Sequence, residues 1–140
     1  MINRIIDAIS ISINAEFGDG YEIYTESLEQ GLNEPCFSIF CLNPTNELYR
    51  GKRYYRTNQF CIQYFPSTGE PKGECNAVLE RLYDCLELIT VDNELTRGKR
   101  MKGEIVDGVL SFFINYDMFV YKAENQDVME ELEVSTKAKG

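Results

Sequence analysis

An α+β fold is predicted by three features of this sequence. Residues 2–17 and 71–90 each place a stripe of six or seven apolar side chains within an arc of about 120° at helical spacing. Residues 109–121 alternate apolar and polar positions with the period of a strand. Asp107-Gly108 then joins that run to the one before it with the residues of a type I′ hairpin turn. Two helices with single apolar stripes, laid on a mainly antiparallel five-stranded sheet, make a two-layer sandwich in the order α-β-β-β-α-β-β.

The first helix places Ile2, Ile5, Ile6, Ile9, Ile13 and Phe17 on its stripe, and Gly18-Asp19-Gly20 ends it. Ile11 lies on the opposite side, near Ala8 and Ala15. It reads either as a lone exposed apolar residue, which is ordinary, or as part of a weak second face that meets a partner subunit. Residues 21–26 form the first strand, with Tyr21 and Ile23 on one face. A loop punctuated by Gln30-Gly31 and Asn33 leads to Pro35 and a strand over 36–42. That strand is apolar at nearly every position, as expected when both faces are covered. Asn43-Pro44-Thr45-Asn46 is a turn signal. The third strand runs from about Arg53 to Phe65, with Phe60, Ile62 and Tyr64 on one face and Gln59, Cys61 and Gln63 on the other. Pro66-Ser67-Thr68-Gly69 ends it.

Pro71 suits the first position of the second helix. Cys75, Val78, Leu79, Leu82, Cys85, Leu86 and Ile89 form its stripe, opposite Glu80, Asp84 and Glu87. A polar loop follows, then a hairpin of residues 99–106 and 109–121. In the last strand Leu110, Phe112, Ile114, Tyr116, Met118 and Val120 alternate without a break and should be buried. Ser111, Asn115 and Asp117 lie on its solvated face. Residues 123–140 hold five acids, two lysines and few large apolar groups, so they read as a mobile acidic tail after a single domain over 1–122.

The chain has 140 residues, 44% apolar and 26% charged, which matches a globular domain. It holds no apolar run near the roughly 20 residues of a membrane helix. Its opening lacks a basic start, an apolar block and a cleavage site, so no secretory signal is expected. Histidine is absent, which removes every Ser–His, Cys–His and His–metal site. There is no phosphate-binding glycine loop, and Asp7, Glu16 and Asp19 do not converge on one point at helical spacing. No cofactor and no metal are therefore expected, and no enzyme. The five cysteines, Cys36, Cys41, Cys61, Cys75 and Cys85, contain no C-x-x-C pair. They read as reduced, small core hydrophobes, although a thiol nucleophile served by Lys or a carboxylate is the competing reading.

The net charge is −9, which disfavours wrapping of nucleic acid by bulk electrostatics. The charge is segregated. Arg50-Gly51-Lys52-Arg53 recurs as Arg97-Gly98-Lys99-Arg100, and with Arg56 and Lys102 the two clusters hold eight of the fourteen basic residues. Three readings are open: basic loops that solubilise strand starts, a patch for an acidic partner or for passing nucleic acid, and a small nucleic-acid-binding module. Tyr49, Tyr54 and Tyr55 beside the first cluster have a composition frequent at interfaces.

A resemblance adds to this. Met1-Ile2-Asn3-Arg4-Ile5-Ile6-Asp7-Ala8-Ile9, the segment 16–24, Gln30-Gly31-Leu32 to Pro35-Cys36-Phe37, Gln63-Tyr64-Phe65-Pro66 and the block 109–121 together resemble small phage and prophage proteins of Gram-positive hosts. These are tail terminators, or minor tail-completion proteins, and the resemblance spans about residues 1–122. It implies an α+β domain that assembles as a hexameric ring, caps the tail tube, stops tail growth and meets a head-side neck protein, with the sheath as a further partner in contractile tails. It implies no reaction, no cofactor and no membrane, DNA only as cargo passing the lumen, and a place in the host cytoplasm during assembly and in the virion tail afterwards. Another head–tail connector is the alternative within the same structural class. The candidate partner or lumen contacts are Arg50, Lys52, Arg53, Arg56, Arg97, Lys99, Arg100 and Lys102. A ring needs a heterologous interface, for which Ala8, Ile11 and Ala15 are candidates.

Overall fold

The computed structural model describes residues 1–26, 32–67 and 69–122. The expected acidic tail, the Gln30-Gly31 signal and Thr68 lie outside them. The elements are α1 (Ile2–Phe17), β1 (Glu22–Tyr24), β2 (Cys36–Arg50), β3 (Arg53–Phe65), α2 (Pro71–Cys85), β4 (Leu88–Val91), β5 (Glu94–Arg97), β6 (Lys99–Val106), β7 (Val109–Asn115) and β8 (Met118–Tyr121). The α+β class holds, with two helices and a mostly antiparallel sheet, but the strands among the described residues number eight and not five. The larger sheet runs β1-β2-β3-β7-β6, with β8 also paired to β3; β4 and β5 pair separately. β1 and β2 pair in parallel, Ile23 opposite Phe37.

The chain groups into two compact units. The first comprises residues 1–43 and 58–116. Here β3 pairs β7 from Gln59–Asn115 to Tyr64–Leu110. One sheet face carries Phe37, Ile39, Phe60, Ile62, Tyr64, Leu110, Phe112 and Ile114, each at most 1% exposed. The helices lie on that face: α2 packs on β6 and β7, and α1 on α2 and β4. Phe37 sits between Phe17 and Tyr64, its ring 5.0 and 4.9 Å from theirs. From α1 the stripe delivers Ile5, Ile9, Ile13 and Phe17 to this core, and Gly18 stops the helix at a φ of 89° that favours glycine. At Asp107-Gly108 both residues take positive φ, 54° and 76°, as the type I′ turn requires.

Four expectations about element ends are corrected. Helix α2 stops at Cys85, not near residue 90. Leu88-Ile89-Thr90-Val91 is rich in β-branched side chains, which prefer strand backbone, and its burial alternates. The expected polar loop is therefore a hairpin of β4 and β5, turned by Asp92-Asn93 at φ 52° and 68°. The Asn43-Pro44-Thr45-Asn46 signal does not reverse the chain: Asn43 takes φ 45°, β2 continues to Arg50, and the reversal comes at Gly51, φ 57°. Pro44 is tolerated because β1 meets β2 only at Cys36–Ser38.

Nor is the last strand unbroken. The Tyr116 N–H donates to the Asn58 carbonyl (2.9 Å), and the Tyr116 carbonyl accepts from Asn58 Nδ2 (3.0 Å). With both backbone groups of Tyr116 satisfied this way, the ladder is interrupted and resumes as β8. Tyr116 turns its hydroxyl to the Leu86 carbonyl at the end of α2, 2.6 Å away. Asn115, expected on a solvated face, is 7% exposed, while Met118 and Val120 are only half-buried.

The second unit contains residues 44–57 and the chain from Asp117 onward. Its described part is the β2–β3 hairpin over residues 44–57 with β8 laid along β3, Arg53 opposite Tyr121 and Arg56 opposite Met118. No residue of it is fully buried among those described. Its order rests on cross-strand contacts: the Thr45 and Thr57 hydroxyls bond each other, Arg56 Nε donates to Asn46 Oδ1 (3.0 Å), and the Lys122 N–H donates to the Lys52 carbonyl (2.9 Å).

Candidate functional site

The first basic cluster lies on strand and turn backbone, not in a loop. Arg50 and Lys52 flank Gly51 at the hairpin reversal, and Arg53 and Arg56 are in β3. Alternation and register put Arg53, Tyr55, Phe119 and Tyr121 on one face of the second unit. The Phe119 ring is 5.1 Å from Tyr49 and 4.9 Å from Tyr55. The Arg53 guanidinium lies 4.6 Å from the Phe119 centroid and 5.6 Å from that of Tyr49, a cation–π pair of contacts that also orders the side chain. Tyr49, Phe119 and Tyr121 are 61, 49 and 75% exposed. A half-exposed Tyr/Phe/Arg cluster has the composition of an interface anchor. Tyr121, like Tyr116, is among the tyrosines that the sequence marks on its last strand, whereas Phe119 carries no such mark and joins the cluster only through the pairing of β8 with β3.

The second cluster belongs to the first unit. Its tetrapeptide matches the first in sequence and not in conformation. Gly51 is a left-handed turn residue, whereas Gly98 is buried and donates its N–H to the Glu87 carbonyl at 2.7 Å. Arg97 pairs with Glu87 (2.8 Å), and Lys102 lies over the Phe113 ring (5.5 Å). Lys99 and Arg100 are exposed, at an irregularity in β6 where Arg100 takes φ 56°. On α1, Ile11 (70%) and Ala15 are exposed as expected, but Ala8 is 6% exposed and belongs to the core. The reason is that α1 packs against both α2 and β4, so its buried face is wider than the isoleucine stripe.

The first unit also carries an open groove that sequence spacing did not signal, since its lining comes from distant segments. Tyr21 and Tyr64 line it together with Gly69, Gly73, Ala77 and Val78, and Glu70 and Glu74 supply acid. Glu74 accepts from the Tyr64 hydroxyl and from the Ser67 N–H (3.1 Å). Burial, then this carboxylate, push the Tyr64 phenol well above its ordinary value. Arg81 also lines it, bonded to the Glu16 carboxylate (2.9 Å) and lying over Phe17 (4.1 Å).

All five cysteines are unpaired by disulfide, three of them buried. Burial raises each thiol above its ordinary value, Cys61 to about 11 and Cys85 to about 12. This is the opposite of nucleophile activation. A raised native value means that the unfolded thiols ionise first as pH increases. Stability is therefore expected to be unaffected by these groups below about pH 9 and to fall as pH rises from there toward about 12. Urea unfolding midpoints measured across that range check the sign. Among the described residues there is no group of three or more side chains placed to hold a metal ion, and no helix is long and apolar enough to cross a membrane.

Fold and surfaces define a protein whose features are contact surfaces: exposed aromatics with arginine, segregated charge and an open groove. The chain belongs to the phage tail terminator protein family, which it matches over residues 4–128. Its fold is similar to that of the PVC sheath/tube terminator in the extended state, seen by cryo-EM in an extracellular contractile injection system. The TM-score is 0.57 at 13% identity, over the whole of this chain and 64% of the other, so this chain spans less than two-thirds of that relative's length. No curated protein sequence matches. Membership of that family makes the chain a phage tail protein.

Proposed function

We propose that copies of this chain close into a ring, six in number, on the last ring of tail-tube subunits. The ring stops growth there and offers its other side to a head-side neck protein, with the sheath as a further contact in a contractile tail. The family match over residues 4–128 carries this reading. Assembly takes place in the host cytoplasm, DNA passes through the lumen only as cargo, and no reaction is catalysed. A ring of identical copies joins two different surfaces of each copy. Exposed Ile11 and Ala15, the basic positions Arg50, Lys52, Arg53, Arg56, Arg97, Lys99, Arg100 and Lys102, and the sheet edges are available for such contacts.

The test is the mass of the full chain, alone and mixed with purified tail tubes. A sixfold assembly, seated on tube ends when tubes are present, is the expected result. A chain that stays monomeric with tubes present and leaves their ends bare would refute the ring.

A further inference from the structure

We propose that the basic aromatic tip of the second unit docks, in a neighbouring copy, into the acidic groove of that copy's first unit. The inference deepens the ring reading and rests on it, since it names the two surfaces that a head-to-tail contact joins.

Charge argues for a second copy as the occupant. The described part of the second unit, residues 44–57 and 117–122, carries five basic and two acidic side chains, and residues 123–140 add five acids and two lysines to that unit. Residues 1–43 and 58–116 carry sixteen acids against seven basic residues. One chain therefore holds both halves of a complementary pair, and complementarity of this kind steers association and fixes register. A tip meeting another tip would set like charges together, which disfavours a two-fold contact and leaves the heterologous one.

The local chemistry matches as well. The tip presents Tyr49 and Phe119 with the Arg53 guanidinium across their rings. The groove presents Tyr21 and Tyr64 beside Glu70 and Glu74, and its one cation among the described residues, Arg81, is already paired with Glu16. Guanidinium against carboxylate and ring against ring are the pairings that such anchors make. There is room for a ring to enter: a Cβ built on Gly69 or Gly73 would meet no atom within 4 Å. The tip needs a cover, because three of its large apolar side chains, Leu48, Tyr49 and Tyr121, are 61–75% exposed.

The test places a photoreactive benzoylphenylalanine at Tyr49 in the full-length protein assembled on purified tail tubes, with ring formation followed by mass. Position 49 is exposed, so circular dichroism should match that of the unsubstituted chain. The expected product is a copy-to-copy adduct whose cross-linked peptide contains Tyr21 or falls within residues 64–81. Adducts only to tube protein, adducts to another segment of the second copy, or no adduct in an assembled ring would overturn the proposal and leave the ring standing. Absence of any assembly, with the unsubstituted chain as well, would overturn both. As a second arm, Arg53→Glu should weaken assembly by at least about tenfold, and Glu70→Arg in the same chain should recover most of the loss. Equal weakening in the single and paired variants would also count against the contact.

Discussion

Phe112→Ala is expected to lower the unfolding free energy by about 3–5 kcal/mol. Phe112 is fully buried in the middle of the first unit's sheet, opposite Ile62 on β3 and Gly103 on β6. Its ring lies edge-on to Tyr83 of α2 at 5.7 Å. Gly103 provides no side chain to fill the space, and it is held close under α2: a Cβ there would come within 2.6 Å of Leu79 Cδ1. The cavity left by alanine is walled by paired strands and a packed helix, so it cannot collapse, which places the cost toward the upper end of the range. Urea unfolding checks the prediction as a lower midpoint with unchanged slope. Ile11→Ala, at a site 70% exposed, is the control and should stay within about 0.5 kcal/mol.

The second large effect separates two glycines that share one tetrapeptide. Gly98→Ala is expected to cost about 2–3 kcal/mol, because the added methyl overpacks the core. It would stand 2.4 Å from Ile114 Cδ1 and 3.0 Å from the Leu86 carbonyl oxygen. Ile114 is itself fully buried between β3 and β6, and the carbonyl is backbone already held by the Tyr116 hydroxyl, so neither neighbour can step aside. Gly51→Ala meets open space, and its cost of about 1–2 kcal/mol comes only from the left-handed φ of 57°. Thermal or urea unfolding of the two variants side by side should show Gly98→Ala as the more damaging. Equal losses would mean that the repeat has one structural meaning after all.

Much of the fold was legible because it is written in periodicity. The stripe of α1, the alternation of β3 and β7, the Asp107-Gly108 turn and Pro71 at the start of α2 are local signals, and the structure agrees with each. The corrections share a physical cause: tertiary pairing overrode a local signal. Ile89 sits in helical phase with Leu82 and Leu86, yet its β-branched neighbours and the Asp92-Asn93 turn make it the buried residue of a strand. Asn43-Pro44 has turn chemistry, yet β2 runs through it at a sheet edge. Tyr116 alternates in phase, yet Asn58, 58 positions away, takes both of its backbone hydrogen bonds.

For the candidate surfaces the sequence located charge and not environment. It marked Arg53 as basic but could not show the rings of Tyr49 and Phe119 beneath it, since β8 joins them only through pairing with β3. It grouped Arg97 with Arg50, although Arg97 is paired to Glu87. It placed Ala8 beside Ile11, although Ala8 is buried in the core. The groove, drawn from Tyr21 and from residues 64–81, has no linear signature at all.

Tail length in a phage that makes every tail protein except this one is the most direct measurement of the central claim. Electron micrographs should then show tubes of widely varying and excessive length without heads, with uniform length and head joining restored when the intact chain is supplied. Tails of normal, uniform length joined to heads in its absence would contradict the capping role outright.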